Sequence, residues 1–355
     1  MLAQKATSWF CAALAAAAVC APAGAPAGQL NLGPQELVST TGGPIAVPGY
    51  SVPSLVDWNA DGRQDLLVGE GGAWETPAIR LYLNVGTASA PQFDTFTYVV
   101  ADGTAITYNG PNCSSCLLGA CLGLYPRFVD FDADGLKDLV VGQSDGTVGL
   151  YVNEGTAAAP VFGAGGLIQI GQPGSKADLY VGGGRATPNV VDWNADGKKD
   201  LIGGGLSGQI HVFLNEGTDA APDFRAETRA QDAGGNLVVP SDRSSPHVFD
   251  ANGDGRKDFL AGNTDGQLLL YLNENTDAAP IFSSPVMVEA GGAAIDLPGT
   301  PRSRPFVCDW TGDGLPDVLV GSGDGTVGLY QGVPEPTGLV LLGLAAGAVL
   351  RRRRP

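Results

Sequence analysis

The sequence predicts an all-β chain assembled from five copies of one four-stranded unit. Three observations carry that expectation. An acidic motif recurs five times at a near-constant interval; runs of Val, Ile, Leu, Tyr and Phe are broken by Gly, Pro, Asn and Asp; and long stretches patterned for amphipathic helices are missing. With 53 glycines and 25 prolines in 355 residues, the chain is built of short segments and many turns.

The motif begins as DWNADGRQDLLVG at Asp57. It returns as DFDADGLKDLVVG at Asp130, DWNADGKKDLIGG at Asp192, DANGDGRKDFLAG at Asp250 and DWTGDGLPDVLVG at Asp309. Spacings of 73, 62, 58 and 59 residues set the period, and repeats of about this length mean solenoids, propellers or arrays. The content of one period chooses among them. Each unit opens with a proline four residues before the first Asp (Pro53, Pro126, Pro188, Pro246, Pro305), followed by a short apolar strand that enters the acidic loop. A second strand, such as Leu66 to Val68, ends in Gly. A third carries Tyr or Phe near its end: Ile79 to Leu83, Val148 to Val152, Ile210 to Leu214, Leu268 to Leu272 and Val327 to Tyr330. The first four then continue through Asn and a Thr-x-x-Ala-Pro segment ending at Pro91, Pro160, Pro222 and Pro280. A fourth strand region is expected to carry the aromatic that follows: Phe93, Phe162, Phe224 and Phe282. Four strands joined by short turns make one propeller blade, so the predicted fold is a five-bladed β-propeller of antiparallel blades.

The fifth unit stops at Tyr330-Gln331-Gly332, one strand short. The N-terminal segment supplies a replacement: Gly33-Pro34-Gln35 followed by Val38 to Val47 matches the Ala-Pro segment and hairpin of the other units. Gly42-Gly43, Gly234-Gly235 and Gly291-Gly292 fall in equivalent places ahead of Pro48, Pro240 and Pro298. The ring is therefore expected to close by strand exchange between its two ends, which also removes exposed sheet edges. Glu36 is expected where other units have the aromatic.

The loop reads Asp, x, Asn or Asp, x, Asp, Gly, x, x, Asp. Oxygen donors at positions 1, 3 and 5, Gly at 6, a carbonyl at 7 and a carboxylate at 9 repeat the first nine positions of a calcium-binding EF-hand loop. Position 12, the usual bidentate Glu, is Val68, Val141, Gly203, Ala261 or Val320, so a loop between two strands replaces the helix-flanked version. The expected ligands are Asp57, Asn59, Asp61, the Arg63 carbonyl and Asp65; Asp130, Asp132, Asp134, the Leu136 carbonyl and Asp138; and Asp192, Asn194, Asp196, the Lys198 carbonyl and Asp200. The last two sets are Asp250, Asn252, Asp254, the Arg256 carbonyl and Asp258; and Asp309, Thr311, Asp313, the Leu315 carbonyl and Asp317. Thr311, a neutral hydroxyl, makes the fifth set the weakest. A metal-free Asx turn would use the first Asp and the Gly. It would leave three or four carboxylates converging, at a repulsion on the order of 1 kcal/mol per pair near 4 Å. Up to five Ca²⁺ ions are expected.

These repeats resemble the FG-GAP or VCBS family, over roughly Leu30 to Tyr330. The resemblance implies a β-propeller with calcium-binding loops and leaves function open among adhesins, lectins and accessory domains of enzymes.

Both ends read as addresses. Lys5, the apolar run from Trp9 to Val19 and small-residue sites near Ala23 and Ala27 form a secretory signal over residues 1–27. Residues 333–355 resemble the PEP-CTERM sorting signal: Val333-Pro334-Glu335-Pro336, an apolar run from Gly338 to Leu350, too short to span a bilayer unaided, and Arg351 to Arg354. That resemblance implies export, transient inner-membrane anchoring, cleavage by an exosortase-type protease, and delivery to the surface or extracellular matrix of a Gram-negative-type bacterium. The propeller is assigned to residues 28–332.

Nothing in the sequence assembles a catalytic constellation. His211 and His247 belong to no motif, and the Asp residues are absorbed by the loops. Cys113, Cys116 and Cys121 lie in an insertion, where an exported chain favours a disulfide, while Cys308 takes an apolar strand place and reads as a buried thiol. Trp58, Trp193 and Trp310, each following a loop's first Asp, read as packing residues. A formal net charge of −17 argues against nucleic acid. The expected function is a calcium-binding, exported module for adhesion or binding, its ligand a surface glycan, an exopolysaccharide or a protein. The alternative is a lectin or polysaccharide-active enzyme with its site in the central funnel.

Overall fold

In every unit the acidic loop is the turn of a hairpin whose arms are apolar. The computed structural model describes residues 30–72, 76–108, 123–299 and 302–334, and among them every regular element is a strand. The segments read as a secretory signal (1–27) and, beyond Pro334, as a sorting signal, together with the insertion cysteines Cys113, Cys116 and Cys121, lie outside the described residues.

Five antiparallel four-stranded sheets are present among these residues. The first runs Ser51–Val56, Asp65–Glu70, Ile79–Tyr82 and Thr97–Tyr98; the second Tyr125–Val129, Asp138–Gly142, Val148–Tyr151 and Gly166–Leu167. The third runs Thr187–Val191, Asp200–Gly204, Ile210–Phe213 and Thr228–Arg229; the fourth Ser245–Phe249, Asp258–Gly262, Leu268–Tyr271 and Val286–Met287. The fifth takes Arg304–Cys308, Asp317–Gly321 and Val327–Tyr330 from the C-terminal end and Glu36–Leu37 from the N-terminal one, with Glu36 opposite Leu329 and Leu37 opposite Gly328. The architecture is consistent with a β-propeller.

Register is the same in all five, because the last residue of the first strand always faces the loop's final Asp: Val56 with Asp65, Val129 with Asp138, Val191 with Asp200, Phe249 with Asp258, Cys308 with Asp317. The repeated prolines sit in these first strands, which are sheet edges where a missing N–H costs no ladder bond. The second strands are buried on both faces, which explains their unbroken apolar runs. Successive residues of a second strand point into different clusters: Leu67 packs with Leu139 and Phe128 of the second sheet, whereas Leu66 and Val68 pack with Leu319 and Leu329 of the fifth.

Two expectations about the fourth strand need correction. The aromatic after Ala-Pro is not in the outer strand of its sheet. Phe93, Phe162, Phe224 and Phe282 instead bridge back to Asn84, Asn153, Asn215 and Asn273, and the outer strand starts several residues later. The segment between is strapped by the Asn side chain: Asn84 Oδ1 accepts from the Gly86 and Gln92 amides, and Asn215 Oδ1 from Gly217 and Asp223. The N-terminal counterpart of the aromatic is consequently Leu32, which bridges Gly332 and is 3% exposed, and not Glu36, which lies in the outer strand itself.

The glycine ending each second strand is a close-approach residue. A Cβ on Gly69, Gly142, Gly204 or Gly262 would stand 1.9–2.4 Å from a carbonyl oxygen of the next unit, and one on Gly321 would stand 2.2 Å from the Ser51 oxygen. Gly321→Ala should therefore destabilise the chain by about 1–3 kcal/mol through overpacking, read as a lower denaturant midpoint. A midpoint equal to the parent's would mean that the two sheets do not meet as described.

Candidate metal centres

The final Asp of each loop is fully buried and has both carboxylate oxygens hydrogen-bonded. Asp65, Asp138, Asp200, Asp258 and Asp317 are 0% exposed. One carboxylate oxygen accepts the amide of the residue after the loop's first Asp, from Trp58, Phe131, Trp193, Ala251 or Trp310. The other accepts the amide that follows the third strand, from Asn84, Asn153, Asn215, Asn273 or Gly332. These bonds span 2.6–3.0 Å and tie the start of the second strand to the loop before it and to the end of the third strand. Burial pushes the pKa of all five carboxyls up, and the amide bonds oppose it.

The rest of the loop curls around its own amides. In loops one, three, four and five, the first Asp (Asp57, Asp192, Asp250, Asp309) accepts from the position-5 amide on one oxygen and the position-6 amide on the other, at 2.8–3.2 Å. In all five the position-5 Asp accepts from the position-7 amide at 2.7–3.0 Å: Arg63 to Asp61, Leu136 to Asp134, Lys198 to Asp196, Arg256 to Asp254, Leu315 to Asp313. Asn59, Asn194 and Asn252 each accept the amide of the same position-5 residue. The sharp turn is carried by the glycine at position 6, with φ between 81° and 91° in the five loops.

The loops differ in how their charge is met. The Arg63 and Arg256 guanidiniums fold onto Asp61 and Asp254 and hold both carboxyls down to about 2, and Lys198 Nζ stands 4.0 Å from Asp196. Loops two and five have Leu136 and Leu315 at that place and no such cation. Each leaves an oxygen wanting. Asp130 Oδ1 is buried without a hydrogen-bond partner, with Lys199 Nζ 3.6 Å away, and Thr311 Oγ1 is likewise without one. In loop two the carboxylate oxygens of Asp130, Asp132 and Asp138 all lie within 4.8 Å of one another. That donor set fits a hard divalent cation.

Aromatic contacts link successive units over these loops. Trp58 stacks on Phe128 at 4.7 Å and lies 5.8 Å from Phe162; Phe131 meets Phe224, Trp193 meets Phe282 and Trp310 meets Phe93. The residue after the first Asp thus packs against the next unit's post-Ala-Pro aromatic. Where that partner is Leu32, the residue is Ala251, in the same cluster. Cys308 is a free thiol, half-buried beside the fifth and first sheets, and burial pushes its pKa up.

Neither histidine touches a loop. His211 is fully buried against Glu227, and burial lowers its pKa. His247 faces Arg127 and Phe306 where the first strands converge. Tyr125, Arg127, Arg185 and Arg304 gather in the same region, and the sequence reading gave them no role. Tyr125 and Arg304 take the first-strand place of Val52 and Thr187, Arg127 the place of Ser54 and Asn189, and Arg185 lies two residues before its strand. Burial, reinforced by Arg127, holds the His247 imidazole down to about 3. It is neutral in the folded chain, whereas the unfolded chain takes up a proton near pH 6.5. Stability is therefore full above about pH 6.5 and falls as pH drops toward 3, by up to about 1.4 kcal/mol per pH unit. Melting curves of His247→Asn between pH 7.5 and 5 should decline less steeply than the parent's; an identical slope would remove His247 as the cause.

A second measurement isolates the buried latch. Asp200→Asn puts an amide NH₂ against the Trp193 or Asn215 N–H and should cost about 2–4 kcal/mol. The loss should persist in the presence of a chelator, since it does not depend on metal. A cost seen only with metal present would reassign Asp200 to ligation alone.

A family model described as FG-GAP-like repeat matches residues 192–261 and 250–320, which contain the third, fourth and fifth loops. No curated protein matches the chain. Among solved structures, BBS1N in complex with ARL6DN, soaked with lead, is similar at 9% identity and a TM-score of 0.40, covering 87% of this chain and 98% of that one. The same complex soaked with mercury is similar at 11% identity and a TM-score of 0.39, covering 88% and 100%. Propellers of FG-GAP repeats are typically non-enzymatic, and no catalytic family is indicated. FG-GAP-like repeats stand at two positions of this chain, within an all-β architecture of antiparallel four-stranded sheets.

Proposed function

We propose that the chain is a five-bladed propeller closed by exchange of its terminal strands, stabilised by Ca²⁺ in its acidic turns, and exported to act as a binding or adhesion module. The observation that carries the reading is the loop-two triad, in which Asp130, Asp132 and Asp138 bring oxygens within 4.8 Å and Asp130 Oδ1 has no donor of its own. Each acidic turn joins the first two strands of its sheet, and its final Asp reaches the end of the third, so an ion in the turn would stiffen three strands at once. Loop two binds most tightly and the fifth, with Thr311, least. Closure is supported by the pairing of Glu36–Leu37 with Val327–Tyr330 and by the cluster shared between first and fifth sheets.

Export follows from the terminal address segments, with exosortase-type processing near Val333-Pro334-Glu335-Pro336 and delivery to the cell surface or matrix. There a rigid ring presents its turns to a glycan, an exopolysaccharide or a protein. The cavity where the first strands converge, about 200 Å³, is smaller than the usual 300–1,000 Å³ ligand site, which disfavours a polysaccharide-cleaving funnel.

Thermal unfolding of the full chain with calcium and with chelator, combined with elemental analysis, tests the metal. Three to five bound ions and a large calcium-dependent rise are expected; each site occupied at a hundred times its Kd adds about 2.7 kcal/mol. Asp130→Asn with Asp132→Asn should remove one ion. No bound metal and no shift would reduce the turns to their amide bonds. Glycan-array and matrix-binding assays test the module itself, with binding and no product release as the expected result; release of oligosaccharide would overturn it.

A further inference from the structure

A second constellation lies where the five first strands converge, away from the acidic turns. Each contributes to the cavity there, with Ser54, Arg127, Asn189, His247 and Phe306 at matching positions and apolar neighbours from the first four strands, such as Val56, Val129 and Val191, completing the lining. Side chains from sheets that are not neighbours meet across it. The Arg127 guanidinium stands 5.3 Å from the Phe306 ring centroid, and the His247 ring 4.6 Å from the same ring.

The cavity is short of hydrogen-bond partners. Arg127 is 9% exposed; its Nη1 donates to the Pro126 carbonyl at 2.9 Å, and its Nε finds no acceptor. Ser54 Oγ and His247 Nδ1 are also shut off from solvent without a partner. Three orphaned polar atoms from three sheets thus face one small space. Buried polar groups without partners are rare and call for a ligand, an ion or water.

Charge points the same way. At the start of the first strands, Arg185, just before Thr187–Val191, and Arg304, at the head of Arg304–Cys308, are 1% and 2% exposed and share the Tyr125 hydroxyl at 2.6 and 3.2 Å, while Arg304 Nη2 has no acceptor. Among the described residues none of Arg127, Arg185 and Arg304 forms an ion pair with a carboxylate. A chain of net charge −17 has therefore placed three buried guanidiniums together and no carboxylate beside them. Burial without a counter-charge holds Arg127 and Arg185 down to about 10.

We propose that this cavity binds a small oxyanion, a carboxylate or phosphate group, between Arg127, Ser54 and His247. The guanidinium Nε and the serine hydroxyl donate, the neutral imidazole donates from Nδ1–H, and Phe306 forms an apolar wall. About 200 Å³ admits a group the size of acetate or inorganic phosphate with a few waters and nothing polymeric.

The test is the melting temperature of the full chain titrated with sodium acetate or inorganic phosphate at constant ionic strength, with chloride as reference, in chelator so that the acidic turns play no part. At least one oxyanion should give a saturable rise with half-effect in the millimolar range. A rise with acetate alone marks a carboxylate site, with phosphate alone a phosphate site, and with both a shared one. Arg127→Met should lose the saturable rise while melting no lower than the parent without added anion, because an apolar chain replaces an uncompensated charge. No saturable rise with either anion, or an unchanged rise in Arg127→Met, overturns the proposal. A readout that needs no variant is line broadening of trifluoroacetate by ¹⁹F or of phosphate by ³¹P resonance, reversed by excess acetate or phosphate; absence of broadening for both overturns it equally.

Discussion

The fold hangs on a carboxylate that has been taken out of water. A buried Asp is tolerated only if its charge is met, and here it is met by two backbone amides from either side of it, one just past the first strand and one just past the third. That requirement fixes the depth at which the acidic turn sits, the length of the third strand and the point where the strapped Asn segment begins. Asp317 makes the same demand with Gly332 in place of Asn, so the device depends on the amide and not on the side chain that carries it. Position 3 is then free to differ between loops, as Asn59, Asp132, Asn194, Asn252 or Thr311, since the sheet is already held without it.

Between units, the chain solves a packing problem with three repeated parts. A glycine lets the backbone of the next unit come close, an aromatic pair fills the space above it, and apolar residues from both second strands fill the space below. The parts vary together. Ala251 stands where other loops carry Trp or Phe because its partner is Leu32, and the smaller pair keeps one cluster continuous. Charge varies in the same paired way: loops with Arg63, Lys198 or Arg256 supply their own cation, and loops with Leu136 or Leu315 do not.

Much of this was legible from period and spacing. Five recurrences of the loop located the first hairpin of every sheet, and the Gly-Gly turns placed the N-terminal hairpin beside the last unit. The misplacement of Glu36 and of the post-Ala-Pro aromatics has one cause: Phe93 and its equivalents look like strand residues, yet they follow a strap that turns the chain back to the Asn, a geometry set by side-chain bonds that no periodicity reports. The double duty of Asp65 and its equivalents was hidden for a related reason, because a carboxylate at a ligand position reads as a ligand whether or not amides also claim it. Arg127, Arg185 and Arg304 escaped because their meeting place exists only after distant strands converge.

The seam between the chain's two ends has a consequence for the order of assembly. Glu36–Leu37 cannot complete its sheet until Val327–Tyr330 has left the ribosome, and Asn31 shares two bonds with Val333 at the very margin of that sheet. Four sheets can form as each unit is synthesised, whereas the fifth must close a loop of almost the whole domain, late and at a high entropic cost. Until then the third strand of the last unit offers an unpaired rim. Trimming that ran past Val333 or into Asn31 would leave the molecule permanently in that unfinished condition, open to strand capture by a neighbouring copy.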